Sequence, residues 1–592
     1  MNDLKCKSIS AFKLWESAGK PNSGESYLNM KKSKMEYKLA IRRIDSENKN
    51  CFTDNLNDLL SQKRMPEFWK SWNSKFKCRK NNSRQIGGFT SNADIASCFK
   101  TFFETACTPN NKDLHDLHRN EFYRTINQYS YNEVMQFDIL NISNATEKLR
   151  VGKSAGIDNV TAEHILYAHP ILLTCLKMLF NIMLISGYVP NAFGQGILIP
   201  LVKDSNSDVT SCDNYRCITL SCVFSKLFEY AMLELFQCYL NTNDLQFGFK
   251  ANVGCSDALY TLKNVVNYFN NHNSTVTLCA LDISKAFDKV SHYKLFLKLM
   301  DRHIPKCFIH ILCNWYDKCW VKVRWNESFS DTFKTTAGVR QGGVLSPYLF
   351  AIYIEDIINQ LSLYKLGCQI GTSYLGCLLY ADDILLLSQS VTCMQKMLNI
   401  CCSIVNDLDL KFNVKKSVAM RIGNRFKNVC KSLRLVDSEL DFVDTIKYLG
   451  VYIKSGRSFK LCYSNTRYKY FRCFNAVYSK SKSASSELIS VNLLKSYCLP
   501  LIMYSSEAIA PNKSDMLKLD NLINVSISKI FNTYDSHLIG DIRLNLGLFS
   551  IDSIISERSY RFNARFYNKN FYFAETLFAI NYSNYKKCYF VC

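Results

Sequence analysis

The sequence predicts an α+β protein of several lobes, on three observations. At 592 residues the chain is well past the size at which a single hydrophobic core keeps growing. From about residue 141 helical patterns mix with short strand-like apolar runs, whereas the flanking regions show helical periodicity alone. The composition is that of a folded protein, 47% hydrophobic and 21% charged with only 22 Gly and 10 Pro, which sets disorder aside. The expected division is a helical N-terminal extension or linker over 1–140, a mixed central region over 141–455, and a helical C-terminal region over 456–592.

Residues 30–80 are charge-rich and helical in pattern. Lys31, Lys32, Lys34, Lys38, Arg42 and Arg43 precede an aromatic patch, Phe68-Trp69-Lys70-Ser71-Trp72. Two readings stay open there: a solvated helix with a few core aromatics, or an extension that binds nucleic acid. The polar run 108–112 marks a loop. His115 and His118 follow at i, i+3 spacing and are expected at the surface, not on a metal. The apolar run 171–187 carries Lys177 and lies between Pro170 and Pro190, too short and interrupted to span a membrane; a buried helix is expected. Residues 274–281 form a strand-like run that ends in Asp282. A second apolar run over 378–387 is broken by Ala381-Asp382-Asp383, the pattern of a β-hairpin with acids at its tip. After about residue 455 the helical pattern returns with a basic tinge from Arg467, Lys469, Arg472, Lys480 and Lys482.

Charge points to a polyanionic partner. There are 73 Lys and Arg against 51 Asp and Glu, a net +22 with pI near 9.0, which suits a protein that tracks a phosphate backbone. The 26 cysteines are scattered among apolar neighbours and contain no Cys-x-x-Cys pair, so they pack as small hydrophobes in a reducing compartment. Cys588 and Cys592 have no matching His or Cys cluster, which argues against a zinc knuckle. With no apolar signal core at the N-terminus, an intracellular location and no membrane partner are expected.

The chemistry rests on Asp282 and the pair Asp382-Asp383. Carboxylates at the end of an apolar strand and at a hairpin tip are costly unless a cation meets them. Two Mg²⁺ ions fit, with Mn²⁺ as the alternative, because hard cations prefer carboxylate oxygens and keep water and substrate phosphates as further ligands. Such a pair can clamp an in-line phosphoryl displacement. A hundred residues separate Asp282 from Asp382, so folding must assemble the site.

Tyr380-Ala381-Asp382-Asp383 resembles the catalytic box of reverse transcriptases, and Ala280-Leu281-Asp282-Ile283-Ser284-Lys285-Ala286-Phe287-Asp288 resembles their first catalytic motif. Between them, Gly338-Val339-Arg340-Gln341-Gly342-Gly343-Val344-Leu345-Ser346-Pro347 is similar to the third conserved block of LINE-type enzymes. In this order the segments resemble the polymerase portion of a non-LTR (LINE-type) retrotransposon reverse transcriptase, without its endonuclease. The resemblance implies a right-hand polymerase: fingers and palm over 141–455 with an antiparallel palm sheet, a thumb over 456–592, and a helical N-terminal extension. It implies an RNA-directed DNA polymerase that adds dNTPs to a DNA 3′-hydroxyl on an RNA template.

Residue roles follow from the same resemblance. Asp282 and Asp382 would bind the metals with the Ile283 carbonyl, and Asp383 would be a ligand or a neighbouring acid. Phe287 would lie beneath the incoming sugar and leave no room for a 2′-hydroxyl. Gln341 and Gly342 would contact nucleotide and template, with Ser346 capping the helix that follows. Asp213-Asn214-Tyr215-Arg216-Cys217-Ile218-Thr219-Leu220 looks like the finger segment whose Arg216 grips the triphosphate, although Cys217 stands where proline is usual. Ile199-Pro200-Leu201-Val202-Lys203 adds Lys203. Gln246-Phe247-Gly248-Phe249-Lys250 matches a template-side block, and Lys153-Ser154-Ala155-Gly156-Ile157-Asp158 a block before the fingers, with Ala155 in place of proline. Leu410-Lys411-Phe412-Asn413-Val414-Lys415-Lys416-Ser417 matches a later palm motif; Asp409 stands where glycine is common, and Lys416 is either a proton donor to pyrophosphate or structural. Lys447-Tyr448-Leu449-Gly450-Val451 looks like the primer grip, and the segment from Leu494 to Pro500 extends the likeness into a thumb.

The N-terminal segment resembles the linker that follows an endonuclease in this family. The expectation is a truncated copy or a piece of a longer product, with nicking supplied in trans. Expected partners are an RNA template, a DNA primer or target and dNTPs, with the nucleus as the site of integration. The alternatives are a catalytically silent nucleic-acid-binding remnant, or a maturase-like or telomerase-like reverse transcriptase.

Overall fold

The computed structural model describes residues 1–76, 83–131, 133–204, 207–482 and 486–580. Cys588 and Cys592, and positions 77–80 of the charged N-terminal stretch, lie outside the described residues. The chain forms two compact units, each discontinuous in sequence: residues 1–80 with 463–560, and residues 81–462 with 561–592.

The second unit is α+β, as the sequence predicts. Its main sheet is built on the strand Val276–Leu281, which pairs antiparallel with Asp383–Ser388 on one side and Val418–Ile422 on the other. Cys377–Tyr380 closes the hairpin, with Tyr380 opposite Asp383 and Leu378 opposite Leu385. These strands are continuous apolar runs because both faces are covered: Leu278, Cys279, Leu378, Leu379, Leu385 and Leu386 are all fully buried. The helices Cys255–Asn271 and Val391–Asp407 pack against them. A second sheet pairs Gly196–Val202 antiparallel with Tyr215–Ser221 and parallel with Trp320–Trp325. Its core meets the helix Asn92–Ala106 through Ile95, Phe99, Phe103, Tyr215 and Trp325.

Two expectations need correction in this unit. The apolar run at 171 does form a helix, Ile171–Ser186, but only one face is buried, through Leu176, Phe180, Met183 and Leu184. Ile171, Met178, Ile182 and Ile185 are exposed, so a helix that is apolar all round finds a packing partner on one side alone. His118, expected at the surface, is buried on the helix Lys112–Gln128, with Nε2 at 3.9 Å from a carboxylate oxygen of Asp407. That carboxylate also pairs with Lys294 at 2.9 Å, so the histidine belongs to a structural polar cluster.

The end of the chain returns to this unit. Phe562 and Phe566 pack on Tyr260, Phe571 and Phe573 flank Phe247, and Lys569 donates to Asp257 at 2.6 Å. Among the described residues no helix is long and apolar enough to cross a membrane.

The first unit is helical. One core gathers Tyr470, Phe474, Leu494, Leu522, Ile523 and Ile527. A second joins Leu56, Phe68 and Trp72 to Ile489 and Leu493, so Phe68 and Trp72 of the aromatic patch are core residues. Lys31, Lys32, Lys34, Lys38, Arg42 and Arg43 are exposed along the helix Glu25–Ser61.

Candidate active site

The sheet register brings the acids together. Leu281 lies opposite Ile384, so Asp282 and Asp383 are the next positions along that ladder. Asp382 sits in the two-residue turn between the hairpin strands, after Ala381, whose φ of 56° is left-handed and unusual for a residue with a side chain. Asp282 is held by its backbone: its amide donates to Ser417 Oγ at 3.2 Å, and its carbonyl accepts from the Asn413 amide at 2.8 Å. Ile283 bridges to Phe412 on the same segment.

The charges of the acids are coupled. Burial first, then the Asp282 carboxylate, pushes Asp382 above the usual carboxylate range, against the pull of Arg216 and Lys416. Asp383 is pushed up to about 6 by desolvation, then by Asp382 and Asp282, with Lys447 opposing. Asp382 and Asp383, whose proton affinity burial and the acids beside them raise, form with Asp282 a donor set suited to hard cations. Among the described residues no three His, Cys, Asp or Glu side chains form a ready-made metal cage. The donor chemistry therefore fits ions whose remaining ligands come from water, backbone carbonyls and substrate phosphates.

A cleft of about 720 Å³ opens beside Asp282 and Asp382. Ile283, Phe287, Lys203, Arg216, Gln341, Gly342 and Lys416 also line it, so every site residue singled out from sequence is there except Asp383, whose side chain is exposed outside it. Arg216 projects from the strand Tyr215–Ser221 opposite Leu201. Lys203 Nζ donates to the Asp213 carbonyl at 2.8 Å; burial lowers its pKa, and the nearby Arg216 and Lys416 charges lower it further. Lys416 Nζ lies 3.8 Å from an Asp282 oxygen. The Phe287 ring stacks on Phe350 with centroids 4.4 Å apart. Cys217, in the place of the usual proline, continues the strand opposite Pro200, so the segment carrying Arg216 is regular.

The loop 338–347 forms one wall. Gly342, at φ 109°, lies against the neighbouring strand, where a Cβ would come within 3.1 Å of the Thr219 carbonyl. Gln341 does not point free into the cleft: its Nε2 donates to Asp288 Oδ1 at 2.6 Å. Ser346 is the first residue of the helix Ser346–Ile354, not its cap. The buried Glu229 carboxylate takes the amides before that helix, accepting from Val344 and, at 2.9 Å, from Leu345. Arg340, half-buried, is its electrostatic partner, donating to the Phe193 carbonyl at 2.7 Å and lying over the Trp315 ring.

Sequence reasoning missed Glu229, the structural role of Arg340, and the acceptor role of Asp288. Asp288 had a signal, an acid one residue after Phe287 in the first motif. Glu229 lies mid-helix in an apolar run and had none. Asp409, where glycine is common, adopts the left-handed conformation itself, φ 53°, and its carboxylate accepts from the Asn110 and Asn111 amides at 2.8 and 2.9 Å.

Aspartates from a strand end and a turn share one cleft with Lys203, Arg216 and Lys416, an arrangement suited to holding phosphate groups. Comparison with known proteins narrows it. Residues 202–453 match the reverse transcriptase (RNA-dependent DNA polymerase) family. The chain is 23% identical, over 51% of its length, to the Pol polyprotein of the type-2 retrotransposable element R2DM of Drosophila melanogaster, covering 29% of that protein. It is 26% identical over 54% of its length to the RNA-directed DNA polymerase of the mobile element jockey from Drosophila funebris, covering 35% of it. It is 23% identical over 59% of its length to the Pol polyprotein of the type-1 retrotransposable element R2 of Popillia japonica, covering 49%. The chain thus spans about a third to a half of these relatives. Among solved structures, telomerase from Candida albicans in complex with a telomeric RNA fragment is similar at 11% identity over 64% of this chain and 69% of that one, with a TM-score of 0.34, too low to bear on function. Residues 202–453 thus match the reverse transcriptase family, and the relatives this chain resembles are polymerases of retrotransposable elements.

Proposed function

We propose that the chain is an RNA-directed DNA polymerase of a non-LTR retrotransposon, adding dNTPs to a DNA 3′-hydroxyl paired to an RNA template. The observation that carries this reading is the single cleft that gathers Asp282, Asp382, Lys203, Arg216, Phe287 and Gln341 from separate stretches of chain.

Asp282 and Asp382 would hold two Mg²⁺ ions, with the Ile283 carbonyl and Asp383 as neighbouring donors. Bound there, the ions would lower the pKa of the attacking hydroxyl and neutralise the leaving pyrophosphate. Arg216 offers a bidentate fork and Lys203 a point charge to the triphosphate. Gly342, packed against the strand that carries Arg216, would present its backbone to nucleotide and template, while Gln341 is kept in place by Asp288. Lys416, exposed enough to swing away from Asp282, supplies a proton to pyrophosphate. A DNA target would put the reaction in the nucleus.

The purified chain, given an RNA template with an annealed DNA primer, dNTPs and Mg²⁺, should extend the primer to the template end, and chelation should stop it. Failure to extend under any divalent cation would sink the reading. Phe287, backed by Phe350, is placed to exclude a 2′-hydroxyl. Phe287→Ala should raise ribonucleotide incorporation by about 10- to 100-fold, the range a pocket of altered size commands. Competitive extension with mixed rNTP and dNTP reads this, and unchanged discrimination would remove Phe287 from the role.

A further inference from the structure

Asp382 is carried by a strained turn, and something must hold that turn. Ala381 is left-handed and buried, so its amide cannot turn to water. That amide donates to the side-chain oxygen of Gln246 at 3.0 Å, and the same oxygen accepts the Gly248 amide at 3.0 Å. Gln246 is fully buried. Its Nε2, also buried, has no hydrogen-bond partner among the described residues, so the acceptor end is the end in use.

The backbone around Gln246 is fixed on both sides. Leu379 donates to the Leu245 carbonyl and the Phe247 amide donates to the Leu379 carbonyl, both at 2.8 Å, which makes 245–247 an extra edge of the hairpin. A Cβ on Gly248 would stand 2.6 Å from the Ala381 nitrogen, so only glycine permits this approach. From behind, the Phe247 ring is flanked by Phe571 and Phe573 of the returning C-terminal segment, at 5.8 and 6.1 Å.

We propose that Gln246 is the positioning residue of the turn that carries Asp382: its carboxamide oxygen, clamped by two backbone amides and buttressed by the C-terminal segment, fixes where that carboxylate points. The inference rests on the polymerase reading above. Gln246 is fully buried, does not line the cleft and acts through Ala381.

The test uses two substitutions in the full chain. Gln246→Met keeps the volume and removes the acceptor. Gln246→Glu, neutral when buried, keeps a carbonyl for both amides and puts a hydroxyl where Nε2 has no partner. Gln246→Met should lower kcat by about 10- to 100-fold, leave the dNTP KM and template affinity within about twofold, and weaken Mn²⁺ binding by calorimetry about tenfold. Gln246→Glu should recover activity to within about threefold of wild type. Rates are taken per template-binding molecule, so loss of folded protein does not mimic the effect. Wild-type kcat and Mn²⁺ affinity in Gln246→Met would overturn the proposal, as would equal impairment of the two variants. If the wild-type chain fails to extend primers, the polymerase reading falls, and the Mn²⁺ titration still decides the role of Gln246.

Discussion

Asp382→Asn should stop primer extension, lowering the single-turnover rate on the order of a thousand-fold or more, because several kcal/mol of transition-state charge stabilisation depends on that carboxylate. Asparagine keeps the size of the side chain and the form of the turn, so the loss would be one of charge, not of fold. Template affinity should change by no more than about threefold, since it rests on the long-range field of the net +22 chain and its exposed cations. The metal-free variant should also melt at a higher temperature than wild type, because Asp382, whose ionisation burial and the Asp282 carboxylate disfavour, no longer has to carry a charge. Single-turnover extension, filter binding and a melting curve read the three effects. Normal extension by this variant would remove the acids from the mechanism.

The second large effect is expected away from the acids. Glu229→Ala should destabilise the protein by about 1–3 kcal/mol, the cost of leaving the Val344 and Leu345 amides without their acceptor. Arg340, half-buried, would lose the carboxylate that favours its charge, and the unpaired amides would lie at the start of the helix Ser346–Ile354. Because the same loop presents Gln341 and Gly342 to the cleft, activity should fall even where the variant stays folded. Pairing Glu229→Leu with Arg340→Met should cost less than the two single changes added together, since neither charge is then stranded. Urea unfolding followed by tryptophan fluorescence compares the four variants with wild type. A Glu229→Ala loss below about 1 kcal/mol would show that the loop does not depend on this carboxylate.

What the sequence disclosed follows from the range of the interactions involved. The hairpin over 377–388 was legible because its two apolar runs and polar tip are contiguous, and the strand before Asp282 for the same reason. The residues around the cleft were legible through short motifs that each occupy fewer than a dozen positions. Glu229, by contrast, meets the loop 343–345 across more than a hundred residues, and nothing in its own helix marks it as an acceptor. Gln246 was quoted within a block, but its bond to the Ala381 amide needs the fold before it exists. His118 and the helix Ile171–Ser186 went astray for a related reason. Burial depends on which face finds a partner, and a pattern of residue types names the faces without naming the neighbours.

The helical unit has a consequence for how the protein is made. Leu56, Phe68 and Trp72 complete their core only with Ile489 and Leu493, which the ribosome produces some 400 residues later. At about 5–20 residues per second that apolar seam stays uncovered for roughly 20–80 s of synthesis. Nascent chains halted before residue 486 should therefore recruit Hsp70-type holdases to the 50–76 region, and release them once the later helix has emerged.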